Sequence, residues 1–338
     1  MTMSGLGRDI VLLYEKRRGK AILEQERRRA EAYAKIPALS VLEAEIGALG
    51  VRNARSILHE GPEGPADLDE QLGKLKIRRS ALLKDSGFPE NWLDAWWICP
   101  ICRDTGYVES DDGSGRKVCA CTARLVLDRR YRISNLTRDP QIGFDRYTDK
   151  YYPDVAGKDR HGTEESARTH MNAVFARIRH FTEHFDEAET RSLYLYGTTG
   201  TGKTFLAKSA GMSLLDSGHT VLYLSAPAFF DTTRQAKFHD DDKPDMEAAY
   251  RRILEVNLLI LDDLGTEPAT DSRYADLLTL LEARNSPSME TRRTLIVSNM
   301  DLKWLYSVYN ERIGSRISGE YEVLSFTGAD IRVLKRFG

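Results

Sequence analysis

The run LYGTTGTGKTFLAKS, residues 195–209, decides the fold. It sets Gly197, Gly200, Gly202, Lys203 and Thr204 in the order G-x-x-G-x-G-K-T, with Thr198, Thr199 and Thr201 between them. An apolar, strand-like stretch precedes the run and a helical one follows, which is the setting a phosphate-cradling loop requires. Backbone N–H groups of such a loop, together with the N-terminus of the next helix, favour anions. Lys203 is expected to reach the β- and γ-phosphates of a bound nucleotide, and the Thr204 hydroxyl to coordinate Mg²⁺.

Outward from the loop, apolar runs alternate with helical stretches. The runs are SLYLYG (192–197), TVLYLSA (220–226), NLLILDD (257–263), RTLIVSN (293–299) and EVLSF (322–326). That alternation predicts an α/β domain with a largely parallel sheet buried on both faces. The third run stops at two acids. At the carboxyl edge of a parallel sheet they face the phosphates, with Asp262 expected on Mg²⁺, directly or through water, and Asp263 orienting or polarising the attacking water. Asn299 ends the next run, where an amide can hold that water. Arg316 in NERIGSRI and Arg332 in GADIR follow in order.

All four cysteines lie in WWICPICRDTGYV and VCACTARL, as Cys99, Cys102, Cys119 and Cys121. The spacing C-x2-C-x16-C-x-C suits four thiolates around zinc, a closed and therefore structural site. The alternatives are a redox pair or unrelated buried cysteines, and a redox pair leaves the second cysteine pair unexplained. The module is too small to bury a sufficient core, so a metal makes up the deficit. Gly106, Gly113 and Gly115 supply flexible backbone between the ligand pairs.

Residues 1–90 read as helices. Leu39, Leu42, Ile46 and Leu49 share one helical face, as do Leu68, Leu72, Leu75 and Leu82. EGPEGPAD (60–67) is a turn by composition. Such stripes form either the core of a helical bundle or a partner-binding surface. The organisation expected is a helical region (1–90), a zinc-binding module (91–125), a connector with a helix from Met171 to Phe185 (126–190), and a nucleotide-binding core (191–338).

The 338 residues carry 49 Lys and Arg against 51 Asp and Glu, so any nucleic-acid surface must be local. No apolar run reaches the roughly 20 residues of a membrane helix, and no signal-peptide core is present. A cytoplasmic protein is expected, where clustered cysteines hold metal more readily than they form disulfides.

The order GTTGTGKT, LLILDDLGTE, TLIVSNM, ERIGSRI, GADIR resembles that of AAA+ ATPases, in particular the DnaC/DnaI-type replicative helicase loaders and their IstB-like relatives. The resemblance covers about residues 90 to 338, and CPICRDTGYV…CAC resembles the zinc module ahead of the ATPase in DnaI-like loaders. It implies ATP or ADP as ligand and slow or partner-stimulated hydrolysis, since Asp263 stands where many AAA+ members carry glutamate. It further implies Asn299 as sensor 1, Arg316 as an arginine finger completing a neighbour's site (Arg312 is the fallback), and Arg332 as the sensor-2 arginine. The implied partners are a hexameric replicative helicase, gripped by the N-terminal region, single-stranded DNA, and further copies of the chain. In SAPAFFDTTRQAKFHDDDKPD (225–245), Phe229, Phe230, Arg234 and Lys237 are the candidates for DNA contact, although the two phenylalanines can equally pack beneath a helix. Phe144 and Tyr147 either border the adenine or clasp the domain. Three rival functions stand beside the loader: an IstB-like transposition helper on duplex DNA, a nucleotide-binding adaptor with little hydrolysis, and, less well matched, a small-molecule kinase.

Overall fold

The computed structural model describes residues 7–60, 66–110, 113–158, 164–237, 244–267, 272–285 and 292–337. They fall into two units, Met1–Val126 and Leu127–Gly338.

The first unit carries α1 (Arg8–Lys35), α2 (Pro37–Glu60) and α3 (Ala66–Asp85), then a short antiparallel hairpin of β1 (Tyr107–Glu109) and β2 (Arg116–Val118). Proline at the first position of α2 is favourable, because its missing N–H would be unpaired there anyway. Ala32, Ile36, Leu39, Leu83 and Leu93 form a small core flanked by Tyr33, Phe88 and Trp92. Leu39, Leu42 and Leu49 are buried as expected, and Ile46 half-buried. Among the described side chains of α3 the fully buried one is Leu83, one position beyond the expected Leu82, which is half-buried. Most of the turn at 60–67 and the side chain of Leu68 lie outside the described residues.

The second unit begins within α4 (Ala120–Ser134). It continues through β3 (Ala156–Lys158), β4 (Glu164–Ser166) and α5 (Ala167–Glu183) to the sheet strands. These are β5 (Ser192–Gly197), β6 (Val221–Ser225), β7 (Leu258–Leu264), β8 (Arg293–Ser298) and β9 (Tyr321–Phe326). Between and after them come α6 (Lys203–Ser217), α7 (Ala226–Lys237), α8 (Pro244–Glu255), α9 (Arg273–Arg284), α10 (Leu302–Val308), α11 (Glu311–Glu320) and α12 (Ile331–Phe337). The sheet is parallel throughout, in the order β6-β7-β8-β5-β9.

Strand residues alternate between two cores, as the two-residue period of a strand demands. Leu193, Leu195, Ile260 and Val297 pack with Met171, Ile178 and Leu214, and the opposite face joins Tyr194, Leu259 and Ile296 to Phe229, Leu277 and Ile313. The expected α/β domain with a parallel sheet is therefore present, with helices and a four-cysteine module preceding it in the chain. The strand carrying the phosphate loop, β5, has neighbours on both sides, so the loop emerges from the middle of the sheet at its carboxyl edge.

Candidate functional site

Glycine makes the loop possible. Gly197, Gly200 and Gly202 have φ of 146°, 80° and 97°, in the region that L side chains avoid. Space is short as well: a Cβ on Gly197 would strike the Phe326 carbonyl, and one on Gly200 the Asp330 carboxylate. Thr201 Oγ1 donates to Thr198 O at 2.8 Å and Tyr152 Oη to Thr201 O at 3.0 Å, so the loop is braced from inside and outside. Ile331 N donates to Gly200 O at 2.9 Å, tying the start of α12 to the same loop.

Lys203 is buried, and its Nζ donates to Gly197 O (2.9 Å) and Thr198 O (2.8 Å). Burial pushes its pKa down to about 8, while Asp262 and Asp263 oppose the shift. Asp262 is buried at the end of β7 and fully engaged. Its Oδ1 accepts from Thr204 Oγ1 at 3.2 Å and from Asp263 N at 3.0 Å, and its Oδ2 accepts from the Tyr223 hydroxyl at 2.6 Å. Asp263 is exposed with φ 58°, and its pKa is raised by partial burial and then by Asp262, against the pull of Lys203, Arg332 and Lys208. A carboxylate held in that way is a better base than a free one.

A cavity of about 350 Å³ opens over the loop. Thr199, Gly200, Gly202, Lys203, Thr204, Asp263, Asn299 and Arg332 line it together, although they come from four separated stretches of sequence. Also in its lining are Ile142, Arg146, Tyr147, Thr148, Tyr151 and Tyr152. Of these, only Tyr147 was singled out from the sequence. It lines the cavity, stacks on Phe175 at 4.1 Å between ring centres, and donates to Asn172 Oδ1 at 3.1 Å, so it borders the site and clasps α5 together. Phe144 lies edge-on to Phe175, does not line the cavity, and belongs to the core wall.

Arg316 stands apart from the cavity. It pairs with Glu282 at 2.9 Å and Glu320 at 3.3 Å in a shallow groove on the α9–α11 face. Arg312 lines the same groove and is more exposed.

One DNA candidate is corrected. Phe229 is fully buried in the core under α7, because Ala226, Phe229 and Thr233 form the inward face of that helix. Its neighbour Phe230, about 100° around the helix, is half-buried against the same core. Arg234 is exposed and paired with Asp231 at 2.6 Å, and Lys237 is hydrogen-bonded to the buried Asp276. Residues 238–243 of that stretch lie outside the described residues.

In the first unit the four cysteine sulfurs lie within 4.8 Å of one another, with Cys99–Cys119 at 3.9 Å and Cys102–Cys121 at 3.5 Å. A tetrahedron with Zn–S bonds of about 2.3 Å has S···S edges of about 3.8 Å, so the donor set fits zinc. The supporting groups are in place. Asp104 accepts from Ile98 N (2.8 Å) and Cys99 N (2.9 Å), closing the first knuckle, and Tyr14 Oη lies 3.1 Å from Cys121 Sγ. The backbone N–H of Cys102 pulls the Cys99 thiol down to about 7, whereas burial pushes the Cys102 thiol up to about 12 and raises Cys119, so the geometry of the four sulfurs carries the fit to zinc.

Among known proteins, residues 181–317 match the family model "IstB-like ATP binding protein". An insertion sequence ATP-binding protein of Sinorhizobium fredii is 29% identical over 147 residues, 42% of this chain and 56% of that protein. The replicative helicase loader DnaI of Bacillus subtilis is 26% identical over 165 residues, 48% of this chain and 52% of that protein. The chain thus spans about half the length of the curated relatives it matches. The AMPPCP-bound DnaA of Aquifex aeolicus aligns with a TM-score of 0.43 at 17% identity, covering 59% of this chain and 55% of that one. No helix among the described residues is long and apolar enough to cross a membrane. The segment 181–317 thus matches an ATP-binding family, and the chain is similar both to insertion-sequence ATP-binding proteins and to DnaC/DnaI replicative helicase loaders.

Proposed function

We propose that the chain is an ATP-dependent loader that binds a hexameric replicative helicase and delivers it onto single-stranded DNA, with hydrolysis as the switch. One observation carries this reading over its rivals: a separate unit of helices and a zinc-fitting cysteine cluster stands ahead of the ATP-binding domain, outside the segment matched to the IstB-like family. That arrangement resembles DnaI-like loaders, and the unit supplies a surface for gripping a partner.

In this reading Lys203 turns from the loop carbonyls to the β- and γ-phosphates. Thr204 and Asp262 would hold Mg²⁺, which would offset phosphate charge. Asp263 polarises the attacking water and takes its proton, and Asn299 orients that water. ADP departs as the bond from the γ-phosphorus to its oxygen breaks, and Arg332 meets the charge on the transferred γ-phosphoryl group. Arg316 or Arg312 reaches the site of a neighbouring copy, which fits their position outside their own cavity. The products are ADP and phosphate. Phe230, Arg234 and Lys237 remain the DNA-contact candidates, and Lys237 would first leave Asp276.

The matches to insertion-sequence proteins at comparable identity favour a second reading, an ATP-dependent transposition helper that assembles on duplex DNA and engages a transposase. Incubating the chain with a hexameric replicative helicase, with and without ATP, separates the two. A stable complex whose ATPase responds to single-stranded DNA supports the loader. Absence of a complex, together with ATP-dependent assembly on duplex DNA, assigns the helper.

A further inference from the structure

Glu267 ends the run LLILDDLGTE but lines no part of the nucleotide cavity. Its side chain is 1% exposed, and a buried carboxylate is costly unless its oxygens are paired. Both are. Oε2 accepts from Gly265 N at 2.8 Å, and Oε1 accepts from the hydroxyl of Tyr309. The Arg273 guanidinium lies 3.9 Å from Oε1 and sits over the Tyr309 ring.

On one side of this carboxylate is the acidic end of β7. Gly265 sits in a tight turn in which Thr266 N and Oγ1 both donate to Asp263 O, at 3.2 and 2.8 Å. Ser298 Oγ donates to Leu264 O at 2.7 Å, joining the turn to the end of β8, next to Asn299. On the other side, Tyr309 closes α10, and the next residue, Asn310, caps α11 by accepting from Arg312 N at 2.9 Å. Ile313 and Ile317 fix that helix in the core, and it carries Arg312 and Arg316 outward.

We propose that Glu267 is a positioning residue: through Gly265 and Tyr309 it couples the Asp262–Asp263 end of β7 to the arginine-bearing helix α11. The ligand state of the cavity then sets the placement of Arg312 and Arg316. The inference rests on reading the cavity as a nucleotide site. A carboxylate bonded at both oxygens transmits a shift of one partner to the other more stiffly than apolar packing does, because both hydrogen bonds are directional and the one to Tyr309 is buried.

Hydrogen exchange on the full chain tests it, with Mg²⁺ and a non-hydrolysable ATP analogue as the probe. In the unaltered chain the analogue should change exchange both in the phosphate loop (197–204) and in α11. Tyr309→Phe removes only the hydroxyl, and Glu267→Met removes both acceptor oxygens. In either variant the loop response should persist and the α11 response should be lost. If Glu267→Met does not fold, Tyr309→Phe carries the test. An α11 response retained in Tyr309→Phe, or missing from the unaltered chain whose loop responds, overturns the coupling. Absence of any loop response in the unaltered chain overturns the nucleotide reading, and the coupling with it.

Discussion

The two candidate sites are both short, tight loops with glycines at positive φ, yet they are built in opposite ways. Around the cysteines the protein gathers four ligands onto one point and closes them, because the surrounding clusters are small. Around the phosphate loop it does the reverse. A five-stranded parallel sheet with a core on each face holds the loop rigidly, so that a cavity of about 350 Å³ can stay open above it. Where there is little core, a bound metal would support the fold; where the core is large, the fold would support a bound nucleotide.

Removing metal breaks the comparison most severely. Structural zinc contributes apparent energies of about 10–16 kcal/mol in small domains, so chelation or Cys99→Ser should abolish the unfolding transition of the first unit. The transition of the second unit and its nucleotide affinity should be unchanged, and a two-transition denaturation scan reads both.

The matching change in the second unit is Arg284→Met. This buried guanidinium donates to the carbonyls of Ile253, Leu254, Val256, Asn257 and Arg293 and to Thr294 Oγ1, tying the end of α8 to β8. Its loss strands those acceptors, and about 3–5 kcal/mol of stability should go with it, seen as a lower urea midpoint without complete unfolding.

Lys203→Ala should leave stability nearly intact. It should weaken ATP binding by about 10- to 100-fold, as expected for one charge-assisted contact, measured by titration of a fluorescent nucleotide.

The smallest effect is one of pH. A lysine pushed down to about 8 is mostly charged at pH 7 and neutral above its pKa. Phosphate binds the charged form, so nucleotide affinity should fall as pH rises through about 8, with proton uptake on binding. In Lys203→Arg that step should vanish, because arginine keeps its charge. The sign for folding is opposite. A base whose folded pKa is depressed disfavours the fold while it must be charged, so its penalty is present below about pH 8 and fades as pH rises toward the unfolded value.

What was legible in the sequence follows from how local each signal is. The glycine spacing, the strand runs ending at Asp262–Asp263 and at Asn299, and the cysteine spacing each lie within a few residues of chain. Of the two readings of Phe229, DNA contact or packing beneath a helix, the structure shows the second: with Ala226 and Thr233 it makes the helical spacing of an inward face. The cavity wall at Ile142, Tyr151 and Tyr152 was missed because residues 126–190 carry no single period; two short turns separate α4 from β3 there. Only its dense aromatic content, YTDKYYPD, hinted at a lining. The ion pairs of Arg316 and the bond between Glu267 and Tyr309 join segments more than thirty residues apart, except for Glu320 one turn away, and no local pattern announces such partners.

If ATP over the Gly197–Thr204 loop is hydrolysed with the help of an arginine from a second copy, two inactive variants should complement each other. These are Lys203→Ala, which lacks the phosphate-binding ammonium, and Arg312→Ala/Arg316→Ala, which cannot complete a neighbour. Their mixture is expected to regain ATPase activity that neither variant has alone. A mixture as inactive as its components would contradict a shared site.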